Sequence, residues 1–256
     1  MGELAFIGLG LTDERGLSAR ALEALKACDE VFAEEYTAVA PTGTLDRLST
    51  AVGHPIRRLD RASLEAETPL LEALGRSPRV ALLVVGDPFA ATTHVALRIA
   101  AERAGHRWSY FPNASILTAA AGYLGLMGYR FGRTVSLPLP AEGFAPTSPV
   151  EQIAANRSRG LHTLVLLDLA PEVPRYLTAG DALRLLRERD PQARVLTEAD
   201  LVAVAARVGR DDAAGFVGPF GRMRSADFGP PLHTVVVLAP ELHFEEQAAM
   251  ARFRIP

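Results

Sequence analysis

The chain has one cysteine, Cys28, and one lysine, Lys26. A lone thiol excludes an intramolecular disulfide and leaves no ligand set for a cysteine-based zinc site, which fits a reducing, cytoplasmic setting. Arginine supplies the rest of the 27 basic residues, and these do not outweigh the 30 acidic ones: the formal net charge is -3 and the sequence pI about 6.1. No global positive field therefore marks a nucleic acid or an anionic membrane as partner. No apolar run approaches the length needed to cross a bilayer, and the apolar opening, residues 4–11, carries no basic leader. The expectation is a cytoplasmic protein without export signal or membrane anchor. The motifs GxxxxGK(S/T), GxSxG and HExxH are all missing, and His54, His94, His106, His162, His233 and His243 show no paired metal spacing. Hydrolytic and metal-dependent readings thus rest on nothing visible. What is there is a 48% hydrophobic chain of 256 residues, enough for one large domain or two small ones with a real core.

The chain is organised around RVALLVVGDPFAATTHVA, residues 79–96. An unbroken apolar run meets Gly86-Asp87-Pro88, and a helix-forming segment follows the small pair Ala90-Ala91: a buried strand, a tight turn, then a helix. In open α/β sheets ligands collect where the carboxyl ends of such strands open into turns, because backbone N–H groups are unpaired there. Asp87 offers a carboxylate, and Thr92 and Thr93 offer hydroxyls that cap the helix or touch a ligand. On these residues alone an ordinary β-turn with its helix cap is the favoured reading.

The rest of the first half alternates strand and helix. Residues 4–7 read as a strand ending in Gly8-Leu9-Gly10-Leu11, but Asp13 stands where a dinucleotide fingerprint would have its third glycine. Ser18 precedes an amphipathic helix with Ala21, Leu22, Leu25 and Cys28 on one face. Residues 29–33 form the next strand, followed by a polar turn of Glu34, Glu35 and Tyr36. Helices are expected over 44–52, 63–74 and 93–104, and strands over 55–59 and 107–111. His94, in the first turn of the third of these helices, is read as packed or solvent-facing. The alternation is the signature of a mostly parallel α/β sheet.

After Asn113 comes ASILTAAAGYLGLMGY, in which Ser115 caps a helix rich in small residues; these admit a close backbone or a flat ligand, or simply pack tightly. A second α/β lobe is expected to begin here, giving lobes 1–112 and 113–256 with a cleft between them. Strands follow over 134–137, 161–169, 201–208, 213–217 and 233–238, and helices over 150–158, 179–189 and 240–250. Residues 138–149, with four prolines, read as a loop or lid. Glycine-bearing strand ends, an acidic turn and an apolar cleft suit a bound cofactor that brings its own reactivity.

Taken together, FIGLGLTDERGLS (6–18), VFAEEYT (31–37), GDPFAATTH (86–94), NASI (113–116), RGLHTLVLLD (159–168) and DFGPPLH (227–233) resemble the diphthine synthases of the tetrapyrrole methylase superfamily, in order along essentially the whole chain. The resemblance implies a two-lobed α/β methyltransferase, commonly a homodimer, that binds S-adenosyl-L-methionine between its lobes. Its implied substrate is translation elongation factor 2 bearing an aminocarboxypropyl histidine, whose amino group is methylated to diphthine in diphthamide biosynthesis. Carried over residue by residue, the cofactor is expected to meet Leu11, Asp87, Ala90, Ser115, Ile116, Leu167, Val208 and His233. The chain departs from the family pattern between Arg189 and Val202 and in VAARVGRDD (204–212). Leu11, Ala90, Ile116 and Leu167 can supply apolar walls for such a cofactor, while Asp87, Ser115 and His233 supply polar contacts. No metal is implied, and no general base is identified: His94 and Asp168 are the residues nearest to hand. The alternatives are a corrin or porphyrin ring methyltransferase of the same superfamily, a catalytically silent S-adenosylmethionine-binding protein, and a nicotinamide-dependent oxidoreductase using Gly8 and Gly10.

Overall fold

The computed structural model describes residues 1–34, 38–141, 143–170 and 175–255. They form two compact units, Met1–Ser115 and Ile116–Pro256. Sequence placed the boundary after Pro112; it falls after Ser115 because Asn113 is bonded into the first unit, its amide donating to the carbonyls of Gly8 and Gly16 at 2.9 and 3.0 Å.

In the first unit, strands β1 (Glu3–Gly10), β2 (Glu30–Glu34), β3 (Ile56–Leu59), β4 (Arg79–Val85) and β5 (Arg107–Phe111) make one sheet in the order β3-β2-β4-β1-β5, every pairing parallel. Parallel neighbours need crossovers, which helices α1 (Ala19–Lys26), α2 (Thr44–Val52), α3 (Arg61–Glu65), α4 (Thr68–Arg76) and α5 (Val95–Arg103) supply. The apolar runs of β1 and β4 are unbroken because both faces of the sheet are buried. Leu4, Phe6, Val80, Leu82 and Val84 pack on Leu70, Leu74 and Leu97. Ala5, Ile7, Leu9, Ala81 and Leu83 pack on Ala21, Leu25, Leu45 and Leu48.

Local chemistry sets the helix ends. The Ser18 hydroxyl accepts the Ala21 N–H at 3.1 Å and starts α1. The single helix expected over 63–74 is two: Glu67 takes a left-handed φ of 59°, and Pro69 sits in the first turn of α4. A proline tolerates that place because its missing N–H has no partner there, whereas it cannot sit inside a continuous helix. Of the polar turn expected after β2, Glu35 and Tyr36 lie outside the described residues.

The second unit comprises α6 (Ile116–Leu124), β6 (Val135–Leu137), α7 (Ser148–Arg157), β7 (Thr163–Leu167), β8 (Leu169–Ala170), β9 (Arg175–Tyr176), α8 (Ala179–Arg189), β10 (Leu201–Ala206), β11 (Ala214–Pro219), α9 (Phe220–Met223), β12 (His233–Val237) and α10 (Phe244–Met250). Its main sheet runs β11-β10-β12-β7-β6, and only the β6–β7 pair is parallel. The mostly parallel arrangement read from strand–helix alternation is thus confined to the first unit. Ser148 and Pro149, assigned from sequence to the proline-rich loop, open α7, and the helix expected from Pro240 begins only at Phe244, capped by His243. The small-residue helix α6 packs tightly: Ala120, Ala121 and Leu124 lie against Leu164, Ala203, Ala205 and Val236.

His162 of the RGLHTLVLLD stretch is also structural. Its Nδ1 accepts the Ala239 N–H at 2.9 Å, so Nε2 carries the proton and donates it to Glu246 at 3.1 Å. Burial holds this imidazole below its ordinary pKa and it is neutral. Burial opposes the charge on Glu246 too, but the Met127 N–H, His162 and the His243 N–H hold its carboxyl below the usual range. The Arg130 guanidinium completes the knot at 2.5 Å.

Candidate active site

β1 and β4 lie side by side, yet the chain leaves them in opposite directions: from β1 toward β2, and from β4 across β1 to β5. Adjacent strands whose crossovers diverge leave a crevice beyond their carboxyl ends, where ligands of open α/β sheets bind. Here the two ends are tied. Gly10 N donates to Gly86 O at 3.0 Å and Gly86 N to Gly10 O at 2.8 Å, with φ of 77° and 82°, a region glycine enters freely. A Cβ on Gly8 would lie 2.7 Å from Gly86 O and 2.8 Å from Asn113 Cβ. Only hydrogen fits there.

The turn after β4 is fixed from three sides. Asp87 is buried; its Oδ1 accepts the Phe89 N–H at 3.0 Å, and its Oδ2 accepts the Tyr110 hydroxyl at 2.6 Å and the Asn113 N–H at 3.2 Å. That accounts for three of the roughly four lone-pair positions of a carboxylate. Burial and the Asp87 carboxylate together push the Tyr110 phenol up to about 12, so it stays a donor. His94 lies beneath the turn, 1% exposed, with Nδ1 2.8 Å from Pro88 O. A carbonyl only accepts, so Nδ1 carries the proton, and burial keeps the ring below its ordinary pKa. Its Nε2 is buried without a partner. Ala91, at φ 58°, and the Thr92 hydroxyl on Pro88 O at 2.7 Å complete the turn, which is why α5 begins at Val95 rather than Thr93.

Of the residues carried over from the family pattern, Leu11 follows the Gly10–Gly86 bridge, Asp87 flanks it, Ala90 closes the turn with its N–H on Asp87 O at 3.2 Å, and Ser115 lies two residues beyond Asn113. These four share one edge of the first unit. In the second unit Leu167 ends β7, His233 opens β12 and Val208 lies just past β10, a common edge set by the pairings Ala206 with His233 and Val165 with Val235. Ile116 and Val208 are half-buried against the same cluster. The His233 Nδ1 accepts the Ala179 N–H at 3.2 Å, leaving Nε2–H buried and without a hydrogen bond. Burial lowers its pKa, and the nearby carbonyls of Pro230, Phe228 and Gly229 oppose that without reaching bonding geometry.

The edge of the first unit offers half-buried apolar surface at Leu11 and Ala90 and a carboxylate held in one orientation, and the second unit by itself offers half-buried apolar surface at Ile116, Leu167 and Val208. Such a set orients a ligand. His94 is buried beneath the turn with Nδ1–H on Pro88 O, and Asp168 accepts the N–H groups of Leu139 and Leu169, so both are held in structural bonds. The glycine pair also fails as a dinucleotide cradle: Asp13 caps a short 3-10 turn, and α1 begins only at Ala19, so no helix N-terminus faces the glycines. Sequence reasoning passed over Tyr110 and Asn113. The NASI motif drew attention to the second, but nothing local distinguishes the first.

The description Tetrapyrrole (Corrin/Porphyrin) Methylases matches residues 3–223. Over 246 residues the chain is 39% identical to the diphthine synthase of Methanothermobacter thermautotrophicus, covering 95% of this chain and 92% of the relative. It is 40% identical over 253 residues to that of Haloquadratum walsbyi, covering 97% and 94%. A diphthine synthase crystal structure matches with a TM-score of 0.88 at 36% identity, over 99% of this chain and 96% of the other. With this sheet order, this glycine-tied turn and likeness along nearly its whole length, the chain belongs to the tetrapyrrole methylases and, within them, to the diphthine synthase family.

Proposed function

We propose that this methyltransferase takes its methyl group from S-adenosyl-L-methionine and transfers it to the amino group of the aminocarboxypropyl-modified histidine of translation elongation factor 2, giving diphthine in diphthamide biosynthesis. The observation that carries the reading is the Asp87 carboxylate locked in the turn beside the tied ends of β1 and β4, in a chain of this family. We assign Leu11, Asp87, Ala90, Ser115, Ile116, Leu167, Val208 and His233 to cofactor contacts. The chemistry of these residues fits the group: apolar half-buried surfaces for its adenine and methylene portions, polar atoms at Asp87, Ser115 and His233 for its polar ends. When bound, S-adenosylmethionine supplies a methyl group on a sulfonium, open to in-line displacement by a neutral amine. The residues of this chain contribute alignment of donor and acceptor and exclusion of water. The working species is a homodimer in the cytoplasm, where elongation factor 2 acts.

A calorimetric titration with S-adenosylmethionine, repeated with NAD, tests the donor. Saturable binding of the first alone is expected; binding of NAD alone would return the oxidoreductase reading. Mass analysis of the modified factor after incubation tests the acceptor: gain of methyl increments supports it, and an unchanged mass with a cofactor-binding enzyme contradicts it.

A further inference from the structure

Tyr110 stands at a half-exposed position on β5, the edge strand of the first sheet, where any apolar residue would cover the aromatic side chain beneath it. Its ring does that: it pairs in register with Phe6 and lies 5.0 Å from Phe89. Its hydroxyl does something a packing role does not require. It donates to Asp87 Oδ2 at 2.6 Å, a separation typical of a charge-assisted bond. The other two donors to Asp87, the N–H groups of Phe89 and Asn113, are backbone, the first fixed by the turn itself and the second by the chain just past β5. One of them, Asn113 N, is 3.2 Å away and shares Oδ2 with the tyrosine. Without the phenol, Oδ2 keeps only that longer bond, and the carboxylate gains freedom to turn about its Cβ–Cγ bond.

We infer that Tyr110 is a positioning residue for methyl-donor binding, its hydroxyl holding the Asp87 carboxylate in the orientation that meets the cofactor; this rests on the assignment of Asp87 to the cofactor site. The ring packs and the hydroxyl aims. The two roles separate cleanly, because Tyr110→Phe keeps the first and deletes the second.

The test is a double-mutant cycle on the full chain with Tyr110→Phe, Asp87→Ala and the pair, read by calorimetric titration with S-adenosylmethionine and by KM and kcat for methyl transfer. Tyr110→Phe is expected to weaken cofactor binding about 3- to 10-fold and to raise KM with kcat nearly unchanged, the pattern of lost ground-state binding. Its thermal midpoint stays near that of the parent. In the Asp87→Ala background the same change is expected to add no further loss, since the hydroxyl acts only through the carboxylate. Parent affinity in Tyr110→Phe alongside weakened binding in Asp87→Ala would overturn this inference and leave the site assignment standing. Losses that multiply in the pair would overturn it as well, by showing that the hydroxyl acts independently of Asp87. Parent affinity in Asp87→Ala would remove Asp87 from the site and this inference with it.

Discussion

Asp87 and His94 divide the tasks at the turn after β4. The carboxylate gathers three donors from two segments, while the imidazole holds Pro88 O from below. Asp87→Ala leaves those donors short of an acceptor, a deletion that costs about 1–3 kcal/mol in a buried setting. The expected outcome is a folded protein with a lower denaturant midpoint and cofactor affinity reduced by about 10-fold or more, if one charge-assisted contact is lost. Calorimetry and an unfolding curve check the two parts separately. The buried histidines make a further prediction. His94, His162 and His233 all titrate below their ordinary value in the folded chain, chiefly through burial. The unfolded chain therefore takes up protons first, near pH of about 6.5. Their stabilising contribution is complete above that pH and is lost as pH falls through the folded-state values. Asp190, Asp200 and Glu246, also held low, lose theirs only in more acid solution. Unfolding free energy should fall between about pH 7.5 and 5.5, less steeply in His94→Asn, whose amide can still donate to Pro88 O. A flat profile over that interval would contradict neutral buried histidines.

Among the elements, β1 and β4 stand out because their ends are cross-bonded beside the residues assigned to the cofactor. Gly8→Ala would put a methyl group 2.7 Å from Gly86 O, so the bridge between Gly10 and Gly86 must open. Loss of cofactor binding with a clear fall in thermal midpoint is the expected result; normal binding would mean that the strand ends need not be tied. At the junction of β5 and α6, Ser115→Trp is expected to block cofactor binding while the fold persists, since Ser115 is half-exposed. Unimpaired binding there would limit Ser115 to the start of the helix. Much of this element layout was legible. The bounds of α2, β5 and α8 agree with periodicity and caps, and the runs of β1 and β4 read as buried strands because both faces are covered. The antiparallel course of the second sheet was not legible, since valine-rich strands such as β10 and β12 look alike whichever way a neighbour runs. Asp87 announced itself as the carboxylate in a glycine turn. Tyr110 did not, because its bond to Asp87 spans 23 positions and depends on how β5 registers against β1.

For the molecule as a whole, each unit buries its own two-sided sheet, and the residues assigned to the cofactor lie at the strand ends of both. The GDPFAATTH and RGLHTLVLLD stretches resemble the family more specifically than any glycine pattern does, and they play different parts in the structure. The first forms the turn at the β4 end. The second supplies the buried His162 that braces α10 through Glu246, with Leu167 alone of its residues assigned to the cofactor. Likeness in such a stretch reports fold as much as chemistry, so the reaction needs its own test. The most direct is transfer of isotope-labelled methyl from S-adenosylmethionine to elongation factor 2 bearing the aminocarboxypropyl histidine, with unmodified factor alongside. Label on the modified factor alone is expected. Label on neither, from enzyme that binds the cofactor and a factor verified as modified, would contradict the assignment and return the ring-methylating and silent-binding readings.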